Sequence, residues 1–285
     1  MRVYLMTDLE GVAGVRNFQE WTGPGKPYYA LAQKLLTREV NAAVDGFFAA
    51  GATSVLVADG HGPGAIDIEE LDPRVELLRG WGRGWPLGLE EGGYDVIAWV
   101  GQHAQSRTEF SNMAHTQGCS YLELSLNGVA IGEFGQLAYC ASQAGVRAVF
   151  AAGELAFTHE AATLVPGIET VSVKRGTKPG RGDECSEEQY RERNRGAVHL
   201  HPIKARELIR AGAEKAIRRA LKDPSFGIIP LQPPFRRTLV LRHDAEHPRR
   251  YAIEEHPGDV CALMNMAFDF KPVESDEQLR SLLVD

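Results

Sequence analysis

Short apolar runs that stop abruptly at a polar or glycine-rich turn, separated by helix-length stretches, constrain the fold of this chain more than any other feature. Val3 to Met6 halts at Thr7 and Asp8, which reads as a buried parallel strand emptying into a loop. From about Tyr29 to Ala50 the apolar positions Leu31, Leu35, Val40, Val44 and Phe47 recur at helical spacing, and Gly51 supplies a stop. Ser54 to Ala58 is a second strand that runs into Asp59-Gly60-His61-Gly62-Pro63-Gly64, and Tyr94 to Val100 empties in the same way into Gly101-Gln102-His103. Strand, crossover helix and strand in this order predict an α/β fold, a largely parallel sheet flanked by helices.

Further along, Tyr121 to Leu126 and Val129 to Ile131 flank Asn127-Gly128, a strong hairpin signal. Gly132-Glu133 then opens a helix through Ala144. Strands at 148–151 and 170–174 bracket a helix at 154–164, and the polar stretch Gly176 to Asn194 reads as a linker or mobile loop. A helix over 202–221, a strand at 238–242, an apolar run from Val260 and a last helix near Glu277 form a smaller C-terminal α/β region. The expected division is 1–180 and 195–285.

Hydrophobic residues at 44% and charged residues at 24% exclude a disordered chain, and a net charge of −7 without a basic run argues against nucleic acid. The phosphate-binding patterns GxGxxG and GxxxxGK[ST] are absent. No apolar run approaches the ~20 residues of a membrane helix, and the amino terminus lacks a signal-peptide core. Cys119, Cys140, Cys185 and Cys261 form no C-x-x-C pair and read as reduced, mostly packed thiols. The cytoplasm is the expected compartment.

The chemistry gathers at the loop ends. Asp8 and Glu10 stand two apart, and strand geometry continued that far would point both to one side. His61, His103 and Glu133 each fall at the loop edge of a separate unit, and such edges converge at one crevice in an α/β sheet. Singly, each has a plain alternative as a solvated acid or a hydrogen-bonded loop histidine. Together they are five ligands, more than the three that one catalytic zinc takes from protein, so two ions sharing a carboxylate use them better, with Asp8 as the bridge. Imidazole plus carboxylate suits zinc best, with manganese, iron or cobalt as alternatives. The nucleophile such a pair provides is metal-bound hydroxide.

Asp8-Leu9-Glu10-Gly11-Val12-Ala13-Gly14, Asp59-Gly60-His61, Gly101-Gln102-His103-Ala104, Ala114-His115 and Gly132-Glu133-Phe134-Gly135 together resemble the zinc-dependent D-aminopeptidase family, in order from the start of the chain to about Lys174. The resemblance implies a two-zinc site held by Asp8, Glu10, His61, His103 and Glu133, with Asp8 bridging and His115 catalytic. It also implies small peptide substrates, with a D-amino acid at the N-terminus, and a ring-like homo-oligomer, in the family a decamer. The family often shows Asp-Ser-His where this chain has Asp59-Gly60-His61, and the stretch at Thr116-Gln117-Gly118 also differs. Those departures bear on substrate rather than on metal.

Several residues keep two readings. His115 is either an acid, base or oxyanion group or a surface histidine. Asp59 either fixes an imidazole or caps its own turn. Lys174 is either a carboxylate clamp or a solvated strand-end lysine. The Trp81 to Trp85 segment packs on a neighbour or rims the pocket. Two rival functions stand beside peptide hydrolysis: a two-metal phosphoesterase, for which Arg107 is the one cation near the ligand segments, and a non-catalytic metal- or ligand-binding α/β protein.

Overall fold

The computed structural model describes residues 1–82 and 84–284; Arg83, inside the Trp81 to Trp85 segment, and Asp285 lie outside the described residues. The first half of the chain forms β1 (Arg2–Thr7), α1 (Phe18–Trp21), α2 (Tyr29–Ala49), β2 (Ser54–Asp59), β3 (Glu76–Leu78), β4 (Val96–Gln102), β5 (Tyr121–Leu126), β6 (Val129–Ala130) and α3 (Glu133–Gln143). The second forms β7 (Arg147–Glu154), α4 (Leu155–Leu164), β8 (Glu169–Gly176), α5 (Glu187–Arg193), β9 (Ala197–His199), α6 (Pro202–Lys222), β10 (Phe235–Leu241), β11 (Arg250–His256), α7 (Val260–Asn265), β12 (Lys271–Pro272) and α8 (Asp276–Leu282).

The main sheet has seven strands in the order β3-β2-β1-β4-β7-β8-β9, all parallel except for β9 at one edge. Alternate residues of its central strands face opposite layers. Val3, Leu5, Val55, Val57, Val96 and Ala98 pack with Leu36, Val40, Val44 and Phe47 of α2 and Ile209, Ala213 and Ile217 of α6. Tyr4, Met6, Ile97, Trp99 and Ala151 pack on the other side with Phe134 and Leu137 of α3, Phe157 of α4 and Leu124 and Leu239 of the second sheet. Burial on both faces is why these strands read as near-continuous apolar runs, each large side chain stabilising by ~1.5–3 kcal/mol.

The second sheet is antiparallel, in the order β12-β11-β10-β5-β6. It draws β5 and β6 from before residue 180 and the rest from after 230, whereas α6 returns to cover the main sheet beside α2. The hairpin turn has Asn127 at φ 49° and Gly128 at φ 78°, the left-handed pair that a two-residue turn requires. The polar stretch 176–194 is not featureless: Ser186 and Gln189 make a reciprocal capping box that starts α5, and Tyr190 anchors it in the interior.

β1 lies between β2 and β4, and the sheet extends outward from them in opposite senses. Their carboxyl ends therefore border the crevice at the switch point of the strand order, where the functional loops converge.

Candidate active site

Asp8, Glu10, His61 and His103 are buried and lie together, with Glu133 half-buried beside them. Asp8 follows β1 and its amide donates to Val100 O of β4. β1 ends at Thr7, so Glu10 reaches the same side through a turn and not through the pleat of a continuing strand. Gly101 holds φ +82° where β4 passes the Asp8 backbone, and a Cβ there would collide with Asp8 O. At Gly60 a Cβ would stand 2.5 Å from Thr7 O, so the serine common in the resembling family has no room.

Asp8 stands between two imidazoles. Its Oδ1 lies 3.2 Å from His61 Nδ1 and its Oδ2 3.1 Å from His103 Nε2. Glu10 Oε2 is 3.1 Å from His61 Nδ1, and Glu133 Oε2 is 3.6 Å from His103 Nε2. The opposite nitrogen of each ring faces a backbone carbonyl: His61 Nε2 donates to Thr22 O at 3.0 Å and His103 Nδ1 to Ala104 O at 2.9 Å. Those tautomers leave the inner nitrogens with lone pairs aimed at the carboxylates. His103 Nε2 and Glu10 Oε2 are buried without a hydrogen-bond partner although oxygens and nitrogens lie within 3.1 Å of them. The contacts have the right distance and the wrong direction for hydrogen bonds, an arrangement that a shared cation resolves. Imidazole and carboxylate donors fit zinc.

Electrostatics agree with the donor set. Burial pulls His61 down, but the facing Glu10 and Asp8 override it and raise the ring to about 12. Burial pushes Asp8 up, and the facing His103 and His61 rings offset this and hold its carboxyl well below the usual range. Three carboxylates in so small a buried volume demand positive charge, which protons on the rings supply when no cation does.

His115 is stacked on His103, ring centroids 3.8 Å apart and planes 15° from parallel, with Phe18 edge-on at 5.3 Å. Its Nδ1 donates to Met113 O at 2.9 Å, and its Nε2 stands 3.8 Å from Glu133 Oε1. Burial and the neighbouring His103 lower it, so the ring is neutral near pH 7. It is partly buried in the cleft wall and not a surface histidine. His103, His115 and Glu133 also offer ligand atoms within 4.8 Å of one another, as do Asp8, Glu10 and His103.

Asp59 serves its own turn: its oxygens accept from Ala65 N and Ile66 N and pair with Arg79. Lys174 is neither solvated nor a clamp on substrate. It is 2% exposed and donates to Val15 O at 3.0 Å, tying down the loop that follows Glu10, and burial lowers it to about 8. Gln102 donates to Asp8 Oδ2 at 2.9 Å.

The cluster forms the floor of a cleft of about 580 Å³ walled by Trp81, Trp85, Leu87 and Trp99. Arg191 of α5 is the one guanidinium or ammonium among the described lining residues, whereas Arg107 is engaged with Glu123 and Asp183. Arg191 was hidden in the stretch read as a linker. The capping signature of Ser186 and Gln189 was the signal that could have exposed its helix.

Carboxylates and imidazoles converging in a cleft at the switch point of a parallel sheet are the arrangement of a metallohydrolase. The family model for D-aminopeptidases matches residues 1–249, and the chain belongs to that family; it is an aminopeptidase, and the phosphoesterase and non-catalytic readings are not favoured. A solved structure, the Zn-dependent D-aminopeptidase DppA from Bacillus subtilis, described as a self-compartmentalizing protease, shares the fold with a TM-score of 0.75 at 21% identity, covering 93% of this chain and 95% of that one. No curated protein matches the chain by sequence. No helix among the described residues is long and apolar enough to cross a membrane.

Proposed function

We propose that this chain holds two zinc ions per subunit and removes the N-terminal residue, by family membership a D-amino acid, from short peptides. The observation that carries the reading is Asp8 between two imidazoles whose outer nitrogens are fixed by backbone carbonyls. In this reading Asp8 is shared, Glu10 and His61 complete one side, and His103 and Glu133 the other. When bound, a zinc pair supplies a water that ionises near neutral pH and a Lewis acid for the scissile carbonyl.

The chain's own residues do the rest. Glu10 and Glu133 present oxygens to which the α-ammonium of a substrate is drawn. His115 Nε2 is unprotonated and free to take a proton and return it to the leaving amine, while its Nδ1–H is committed to Met113 O. The indoles of Trp81 and Trp85 exclude water and give an apolar side chain a surface. Residues 1–180 carry all of these groups, and we assign 195–285 a supporting part through α6 and the second sheet.

We extend to this chain the closed homo-oligomer that the self-compartmentalizing DppA suggests, a decameric ring in keeping with the family resemblance. The four free cysteines accord with a reducing compartment, which we take to be the cytoplasm. Zinc per chain after purification without chelator, measured with hydrolysis of matched D- and L-terminal dipeptides and a generic phosphodiester, tests the reading. Two zincs with D-selective cleavage are expected. Fewer than two would remove the paired site, and phosphodiester turnover exceeding peptide turnover would replace the reaction.

A further inference from the structure

Glu160 of α4 lies outside the cluster but reaches both of the loops that bring His103 and Glu133 to it. Its Oε2 accepts from Gln105 N at 2.8 Å, two residues beyond His103, and its Oε1 accepts from Gly132 N at 3.2 Å, immediately before Glu133. One carboxylate thus joins the segment after β4 to the start of α3. That start has no side-chain cap of its own: Gly132 is the N-cap residue of α3 and makes none. The segments also touch. A Cβ at Gly132 would stand 2.9 Å from Glu160 Oε1 and 2.9 Å from Gln105 Cβ, so glycine is needed for the join to close.

We propose that Glu160 is a positioning residue that sets the separation of His103 and Glu133 and so the affinity of the zinc site they form; the inference rests on the two-zinc reading above. Asp8, Glu10 and His61 belong to loops that Glu160 does not touch, so the ion on their side should be spared. A carboxylate accepts from two amides at once, and the amide in Glu160→Gln accepts with one end while its NH2 confronts a second N–H. The Gly132→Ala substitution attacks the same join from the other side without removing a charge.

The test uses full-length holoenzyme, titrated with a zinc chelator while bound zinc and far-UV circular dichroism are followed. In both variants one zinc is expected to be lost at about 10- to 100-fold higher free zinc than in the parent, as for removal of a partner that orients a ligand. The other zinc and the dichroism should hold, and activity should return as free zinc is raised. Unchanged zinc release, or equal weakening of both ions together with loss of dichroism, would overturn the proposal. If the parent binds one zinc, the two-zinc reading falls, and Glu160 is judged on whether that single affinity drops with the dichroism intact.

Discussion

His115 lies flat against His103, centroids 3.8 Å apart, yet directs its Nε2 toward Glu133 Oε1 at 3.8 Å while His103 faces Asp8. Stacking on a ring that faces the carboxylates fixes His115 in orientation and, through burial and that ring, keeps it neutral. His115→Ala is expected to keep the fold and the zinc content of the parent and to lose kcat by about 10²-fold or more, the usual cost of removing an acid–base or oxyanion group. Steady-state kinetics with zinc content measured on the same samples decide it. An unchanged kcat returns the chemistry to the metals alone, and loss of zinc makes the residue a ligand.

Asp8 faces both histidines at once, so its removal should not act on one ion only. Asp8→Ala is expected to lose both zincs and all measurable activity. Glu10→Ala, on one side only, should retain part of the metal. Elemental analysis of the two proteins side by side is the measurement, and retention of one full equivalent by Asp8→Ala would show that the carboxylate is not shared.

The five clustered residues were legible because each stands where an apolar run breaks, and a parallel sheet sends such breaks to one end. What brings them together was less legible. The shared side of Asp8 and Glu10 comes from a turn braced by Gly101, not from strand periodicity. Lys174 ends an ordinary strand in sequence, and its burial depends on Glu39, Glu154 and Val15, which only the folded chain assembles. β5 was legible as one arm of a hairpin, but its other neighbour is β10, more than a hundred residues on, and long-range pairing leaves no local signal. Arg191 and Glu160 sit on helices whose apolar pattern says which face is inward and nothing about what a polar residue at the margin reaches.

Arg191 brings the only guanidinium to the cleft lining among the described residues, half-exposed and paired with Glu187 at 2.9 Å. A free peptide carboxylate can compete for that pair, and a half-exposed ion pair is worth about 0.5–1 kcal/mol. Arg191→Met is therefore expected to raise KM about 2- to 5-fold for free-acid dipeptides and to leave the corresponding dipeptide amides unaffected. Equal changes for acid and amide would mean that the side chain shapes the cleft and does not bind the carboxylate.

Glu39 gives the fold a dependence on pH that can be isolated. It lies on α2, is 2% exposed, accepts from Ala13 N through Oε1 and leaves Oε2 without a hydrogen-bond partner. Burial raises its carboxyl to about 8, against weaker opposing pulls from Ala13 N and Lys174. An unfolded chain releases that proton near pH ~4.3, so between there and pH 8 the folded chain binds more protons than the unfolded one. The stability that this group contributes is whole below pH ~4.3 and is lost as pH climbs through about 8. Glu39→Gln keeps an acceptor for Ala13 N and cannot ionise. With zinc present throughout, its melting temperature is expected to gain on the parent protein steadily from pH 5 to pH 8 and to stop gaining above that. Each unit of effective shift is worth ~1.4 kcal/mol, or about 2–4 °C for a chain of this size. Parallel curves for the two proteins across pH 5 to 9 would show that Glu39 carries its charge in the folded state, with Lys174 supplying the compensation that burial denies it.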